Sequence, residues 1–264
     1  MMTTHAERPA GASLWVQVRL LATRILLMTV RDPLVWLPNL IFTVFLLLAF
    51  DGILGEALGS VGNGNYLNFL VPLMILMAAF AGGHAGFALV TDKESGFFRR
   101  ELAMPLSRTA IVLGPIVAGT IQIAFQSLVV LGLAVVMGLD PATGATGVLV
   151  LLVLALLWGL AYAGYTVATG LAAKSAQAAE SSTIIAFLVL FMSPIFVPKE
   201  QLQEWMQVVA TVNPVTYVLE AMRSLTVEGW QAGPLLRGFA VVAVLALAML
   251  AWGTRVARRV TSPS

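Results

Sequence analysis

The stretch "TDKESGFFRRELAMPLSRTA", Thr91 to Ala110, decides the fold. Asp92, Lys93, Glu94, Arg99, Arg100, Glu101 and Arg108 crowd into 20 of the 264 positions, in a chain with only 15 basic and 13 acidic residues. On either side runs an apolar segment long enough to cross a bilayer, which takes about 20 residues of helix. A soluble domain averages about 25% charged residues. This chain has 11%, against 59% hydrophobic residues and a mean hydropathy of +0.92. Such a chain is an integral membrane protein.

Working outward, six segments suit membrane crossing: 33–54, 67–90, 110–139, 147–173, 181–198 and 233–254. The third is longer than needed and is expected to tilt. The fifth is broken by Pro194 and Pro198. Lipid offers no partner to backbone polar groups, and none of the segments alternates as a barrel strand does. The expected fold class is therefore all-α: an integral membrane bundle of six transmembrane helices over 33–254, in one domain spanning 1–264.

Basic residues set the orientation. Arg8, Arg19, Arg24, Arg31, Lys93, Arg99, Arg100, Arg108, Lys174, Arg255, Arg258 and Arg259 fall on one side, and Lys199, Arg223 and Arg237 on the other. The positive-inside rule places both termini, and the Thr91–Ala110 loop, in the cytoplasm. Residues 1–12 are polar and the first apolar stretch carries arginines, so no cleavable signal peptide is expected. Cysteine is absent and the histidines are His5 and His84, so no metal site is expected.

Residues 13–31 form an apolar stretch in which Ser13, Gln17, Arg24 and Arg31 share a helical stripe, with Arg19 off it. This predicts an amphipathic helix on the membrane surface, arginines reaching the headgroups. Asp32-Pro33 should end it.

On a continuous helix from Lys93 to Met104, Glu94, Phe97, Phe98 and Glu101 gather on one face, with Lys93, Arg99 and Arg100 opposite. Gly96 weakens that helix and Pro105 ends it. Two readings remain open. The loop is either a solvated turn whose phenylalanines dip into the bilayer, or a short helix that docks into a cytoplasmic partner.

Farther along, Asn213-Pro214 has the pattern of an N-cap followed by Pro at the first helical position. The ensuing helix should gather Val215, Val218 and Met222 on one face, while Glu220 and Arg223 are spaced to pair. The whole of 199–232 reads as an outer segment, amphipathic and re-entrant between spans five and six. Inside the spans, His84 beside Gly82 and Gly86 suggests packing rather than a proton relay. Gln122, Gln126, Tyr162, Tyr165, Thr166 and Thr169 either line a pathway or hydrogen-bond across helices.

The passage "SPIFVPKEQLQEWMQVVATVNPVTYVLEAMRSL" resembles the C-terminal signature of ABC exporter type-2 permeases, nearest the daunorubicin-resistance and nodulation-export group. Pro198, Trp205, Asn213, Pro214, Thr216, Tyr217, Glu220 and Arg223 match it in order. "DKESGFFRRELAMPLSR" resembles the first intracellular loop of the same family. The resemblance implies an N-terminal elbow helix at 13–31. It implies an ATPase-coupling loop comprising Glu94, Gly96, Phe97, Phe98, Arg99, Arg100 and Glu101, and an external signature segment including Asn213, Pro214, Tyr217, Glu220 and Arg223. It also implies a half-transporter, joined by a second permease, identical or paralogous, and by two copies of an ATPase subunit that binds ATP and Mg.

The chain has no phosphate-binding G-x-x-x-x-G-K-[ST] motif, and "GLAAKS" at 170–175 lacks the glycine spacing. No catalytic residue or cofactor of its own is expected. The expected role is therefore a permease exporting an amphipathic drug, lipid or lipid-linked glycan across the bacterial cytoplasmic membrane. A proton-coupled secondary transporter would need acidic residues in mid-span and usually internal repeats. A membrane assembly protein without transport would use the phenylalanine loop for docking alone.

Overall fold

A computed structural model describes residues 13–80, 84–98, 100, 104, 106–173 and 175–260. Among the described residues the regular structure is helical, with no strand. Helix α1, Leu14–Arg31, meets α2, Pro33–Leu54, at Asp32. The Asp32 carboxylate accepts the Leu34 N–H at 3.2 Å, and Pro33 starts α2 where no amide is needed. The expected break is there.

Helix α3 runs Tyr66–Ala78 and α4 His84–Glu94. The segment 67–90 is therefore not one helix, and α3, with 13 residues, is about 20 Å long at ~1.5 Å per residue. Helices α5, Arg108–Val136, and α6, Gly144–Ala172, have 29 residues each. Helix α7, Ala176–Phe191, begins five residues before the expected 181. Helices α8, Glu204–Val212, and α9, Pro214–Arg223, follow, then a π turn at Ser224–Glu228 and α10, Ala232–Val260. Among the described residues, four helices are long and apolar enough to cross a membrane: α2, α5, α6 and α10. The shorter α3 and α7 are apolar too.

Helix α3 is the hub, because all its residues are buried. Helix α2 is the opposite case. It turns Leu34, Ile41, Phe45 and Ile53 outward, which costs nothing where the surroundings are hydrocarbon. Helix α6 packs against α5, α10 and α4. A Cβ on Gly86 of α4 would lie 2.2 Å from the Thr166 carbonyl oxygen, and one on Gly170 would lie 2.5 Å from the Gly86 oxygen. Helices α4 and α6 therefore touch backbone to backbone, as small residues allow. Gly82, the other glycine singled out, lies outside the described residues.

Helix α1 lies along α5, with Leu21 filling the space where a Gly114 side chain would be. The headgroup-facing stripe expected for α1 is corrected in part. Gln17 is buried and its Oε1 accepts the Ser107 N–H at 2.7 Å, while Arg24 turns toward α4. Trp15, Leu20 and Val30 face outward instead.

Candidate functional site

Two regions singled out in the sequence lie at opposite ends of α6. Lys93 touches the C-terminal end of that helix, whereas the loop before its N-terminus bonds to the π turn.

At the first end, α4 stops at Glu94 and the chain turns through Ser95 and Gly96. Gly96 has φ of +74°, a left-handed conformation that glycine adopts without strain. This corrects the continuous helix expected from Lys93 to Met104. With the helix broken at Gly96, Glu94 does not share a helical face with Phe97 and Phe98. Phe98 is only 5% exposed, packed among Leu89, Ile111, Ile116, Val167 and Leu171. It is a core residue and presents no docking surface. Phe97 is half-buried beneath Arg24, whose guanidinium carbon sits 3.9 Å from the ring centre. Arg24 also forks onto Asp92, with Nη2 to Oδ1 at 3.0 Å and Nη1 to Oδ2 at 3.2 Å.

Lys93, expected on the face opposite the phenylalanines, turns inward. Its ammonium donates to the carbonyls of Gly170 at 3.0 Å, Leu171, and Ala173 at 3.3 Å. Those carbonyls close the C-terminus of α6, where orphan acceptors and the helix dipole favour a cation. Burial pushes the lysine below its usual pKa. The next residue does the converse: Glu94 Oε1 accepts the Ala176 N–H at 3.2 Å, at the N-terminus of α7. Ser175 caps the same helix through its hydroxyl. Arg100 is exposed. Arg99 and Glu101 lie outside the described residues, as does the side chain of His84.

At the other end, Asn213 caps α9 as expected, accepting the Val215 N–H at 3.0 Å. Its amide also donates to Val189 O at 2.6 Å and Ser193 Oγ at 3.0 Å, tying α9 to the end of α7. Pro214 opens α9, and Val215, Val218 and Met222 are buried. The Tyr217 hydroxyl donates to Thr211 O at 2.6 Å, locking α8 to α9.

Arg223 is 6% exposed and lies over the Phe69 ring at 3.4 Å. It donates to Phe69 O at 3.2 Å, Ile195 O at 2.6 Å and Pro194 O. The pairing that its spacing from Glu220 permits is not made. The guanidinium satisfies the carbonyls of Pro194 and Ile195 in the non-helical chain after α7 and ties that chain to Phe69 in the first turn of α3. Below it, the π turn leaves carbonyls free, and Ala142 and Thr143 donate to Thr226 O and Leu225 O at 3.1 and 3.2 Å.

The polar residues of the spans separate into two groups. Gln122 donates to Thr29 Oγ1 of α1 at 2.7 Å, and Gln126 is buried one turn along α5. Tyr162 and Tyr165 instead share a cavity of about 180 Å³ with Phe80, Trp158, Val215 and Met249, between α6, α7, α9 and α10. The Tyr165 hydroxyl donates to Ser182 O at 2.7 Å. Thr183 lies beside the Tyr162 hydroxyl without completing a hydrogen bond. Thr166 is buried and bonds back to Ala163 O at 3.1 Å.

Among the described residues, helices long and apolar enough to cross a membrane, with a charged loop clasping helix ends, define a helical membrane-embedded subunit. The chain belongs to the ABC-2 type transporter family, whose model matches residues 16–227. Members of this family are the permease components of ABC transporters and are not themselves catalytic. One similar protein is "Probable doxorubicin resistance ABC transporter permease protein DrrC" of Mycobacterium tuberculosis, 25% identical over 247 residues, covering 90% of each chain. Another is "Daunorubicin resistance ABC transporter permease protein DrrB1" of Streptomyces coeruleorubidus, 27% identical over 234 residues, covering 86% of this chain and 82% of that one.

The loop contacts had no sequence signal. Lys93 and its acceptors are 77 to 80 residues apart, and Arg24 and Asp92 are 68 apart. Opposite charge alone could have suggested Arg24 with Asp92, and it does not select that pair from the other charges.

Proposed function

We propose that the chain is the transmembrane subunit of an ATP-driven exporter moving an amphipathic drug, lipid or lipid-linked glycan outward across the bacterial cytoplasmic membrane. Both termini are cytoplasmic in this reading. Helices α3–α4 and α7 complete six crossings, α1 is an elbow helix at the surface, and 199–232 re-enters from outside. Two copies of a separate ATPase subunit, binding ATP and Mg, dock on the loop around Glu94–Glu101. A second permease, identical or paralogous, completes the pathway.

One observation supports this reading above the others. Residues 92–98 hold α1 through Arg24, the C-terminus of α6 through Lys93, the N-terminus of α7 through Glu94, and the packed interior through Phe98. A force applied to this short segment displaces several helices together, because packed interiors switch between arrangements rather than stretch. A loop that only reversed the chain would need none of these bonds. Tyr162 and Tyr165, on their apolar cavity, are the better candidates for cargo contact. Gln122 is occupied with Thr29.

A mild-detergent purification of the tagged chain from its native cells, with co-purifying chains identified, tests the reading. A stoichiometric ATPase subunit is the expected result. Recovery of the chain alone under several mild conditions would overturn ATP-driven transport and favour proton coupling.

A further inference from the structure

The end of the bundle carrying α9 holds a cavity of about 370 Å³ lined by Lys199, Arg223 and Arg237 together with Glu200, Glu220 and Glu228. These include every lysine and arginine assigned to the outer side. The charges are arranged in depth: Arg223 is buried, Lys199 and Glu220 are half-buried, and Glu200, Glu228 and Arg237 are exposed at the rim. Three cations face three carboxylates, yet no ion pair joins any two of them. Arg223 donates to the neutral carbonyls of Phe69, Pro194 and Ile195, and among the described residues no carboxylate touches it. Arg237 bonds only to Gly233 O of its own helix, at 3.3 Å. A half-buried carboxylate and a buried cation on the walls of one cavity, without direct contact, suit a ligand carrying both signs of charge.

We propose that this cavity binds a zwitterionic group carrying a phosphate and an ammonium, such as the headgroup of phosphatidylethanolamine or free phosphoethanolamine. The phosphate lies toward Lys199, whose ammonium is the donor on that wall, with the charge of Arg223 behind it, and the ammonium toward Glu220. Equal numbers of opposite charges around the cavity disfavour a simple anion, which would meet the glutamates unpaired. The inference goes beyond the export reading and needs no ATPase, so binding here and coupling at the loop can fail separately.

The test is native mass spectrometry of the full chain in detergent, titrated with dihexanoyl phosphatidylethanolamine, dihexanoyl phosphatidylglycerol and free phosphoethanolamine. The ethanolamine lipid is expected to bind about tenfold more tightly than the glycerol lipid. Glu220→Gln should erase that preference, and Lys199→Gln should weaken both lipids. Arg237→Gln at the exposed rim should also weaken both, and keeps the test alive if a deeper variant fails to fold. Free phosphoethanolamine binding as well as the lipid supports a soluble zwitterion as occupant, and binding of the acylated form alone supports a membrane lipid. Equal affinity for the two lipids, or a preference that survives in Glu220→Gln, overturns the proposal.

Discussion

The guanidinium of Arg24 grips both carboxylate oxygens of Asp92, at 3.0 and 3.2 Å, and thereby ties α1 to the end of α4. The side chains are 26% and 17% exposed, so water screens the pair only in part. Reversing either charge should leave two like charges facing each other and lower the unfolding midpoint by about 2–4 °C, roughly 1 kcal/mol in a chain this size. The double reversal, Arg24→Asp with Asp92→Arg, should recover most of that loss. Midpoints of the two single variants and the double variant in one detergent decide the matter, and a double variant no better than the singles would mean the pair is not what couples these helices.

Lys93 predicts a pH dependence. Burial holds its folded pKa below the ordinary 10.5, so the unfolded chain binds more protons between the two values. The penalty of the buried charge is fully present below the folded pKa and is relieved as pH rises through that value toward 10.5. The neutral amine still donates to the α6 carbonyls. Relative to Lys93→Met, the native protein should therefore gain stability with rising alkaline pH, read as the difference between two unfolding midpoints. A difference that stays flat or shrinks would contradict the buried cap.

Phe98 is the simplest case. Truncating a buried phenylalanine costs about 3–5 kcal/mol, so Phe98→Ala should sharply lower the yield of folded protein. Phe97→Ala, at a half-buried ring, should cost less and act mainly through Arg24. Size-exclusion profiles of the two variants separate these outcomes. Loss of ATPase binding in Phe98→Ala would not identify a docking contact, because the fold itself is affected.

Glu220 and Arg223 supply a test by failure. Arg223→Glu places a carboxylate among the carbonyls of Phe69, Pro194 and Ile195, which can only repel it. Breaking such a buried charged contact costs about 3–5 kcal/mol. Exchanging the two residues should leave that loss unrepaired, since position 220 is not the partner of 223. Recovery of protein level in the exchanged variant would show that the pair forms after all.

Much of this protein was legible in its sequence for local reasons. Hydropathy over about 20 residues reports membrane crossing directly, which is why α2, α5, α6 and α10 fell where expected. Caps depend on neighbours in the chain, so Asp32-Pro33 was readable as a helix break and Asn213-Pro214 as a helix start. The signature residues placed the chain in its family.

The tertiary structure decided what those residues do. The faces drawn for the Thr91–Ala110 loop assumed an unbroken helix, and one left-handed residue, Gly96, separates Glu94 from Phe97 and Phe98. Whether Lys93 faces outward or a helix end, and whether Arg223 prefers Glu220 or three carbonyls, depends on groups 28 to 154 residues away, and whether Phe98 meets a partner or a core depends in part on Val167 and Leu171 of α6. Spacing along a chain ranks neighbours within a turn or two. In a bundle packed around α3, the strongest partners of a charge are the unsatisfied backbone groups that folding brings beside it, and no local pattern records where those will be.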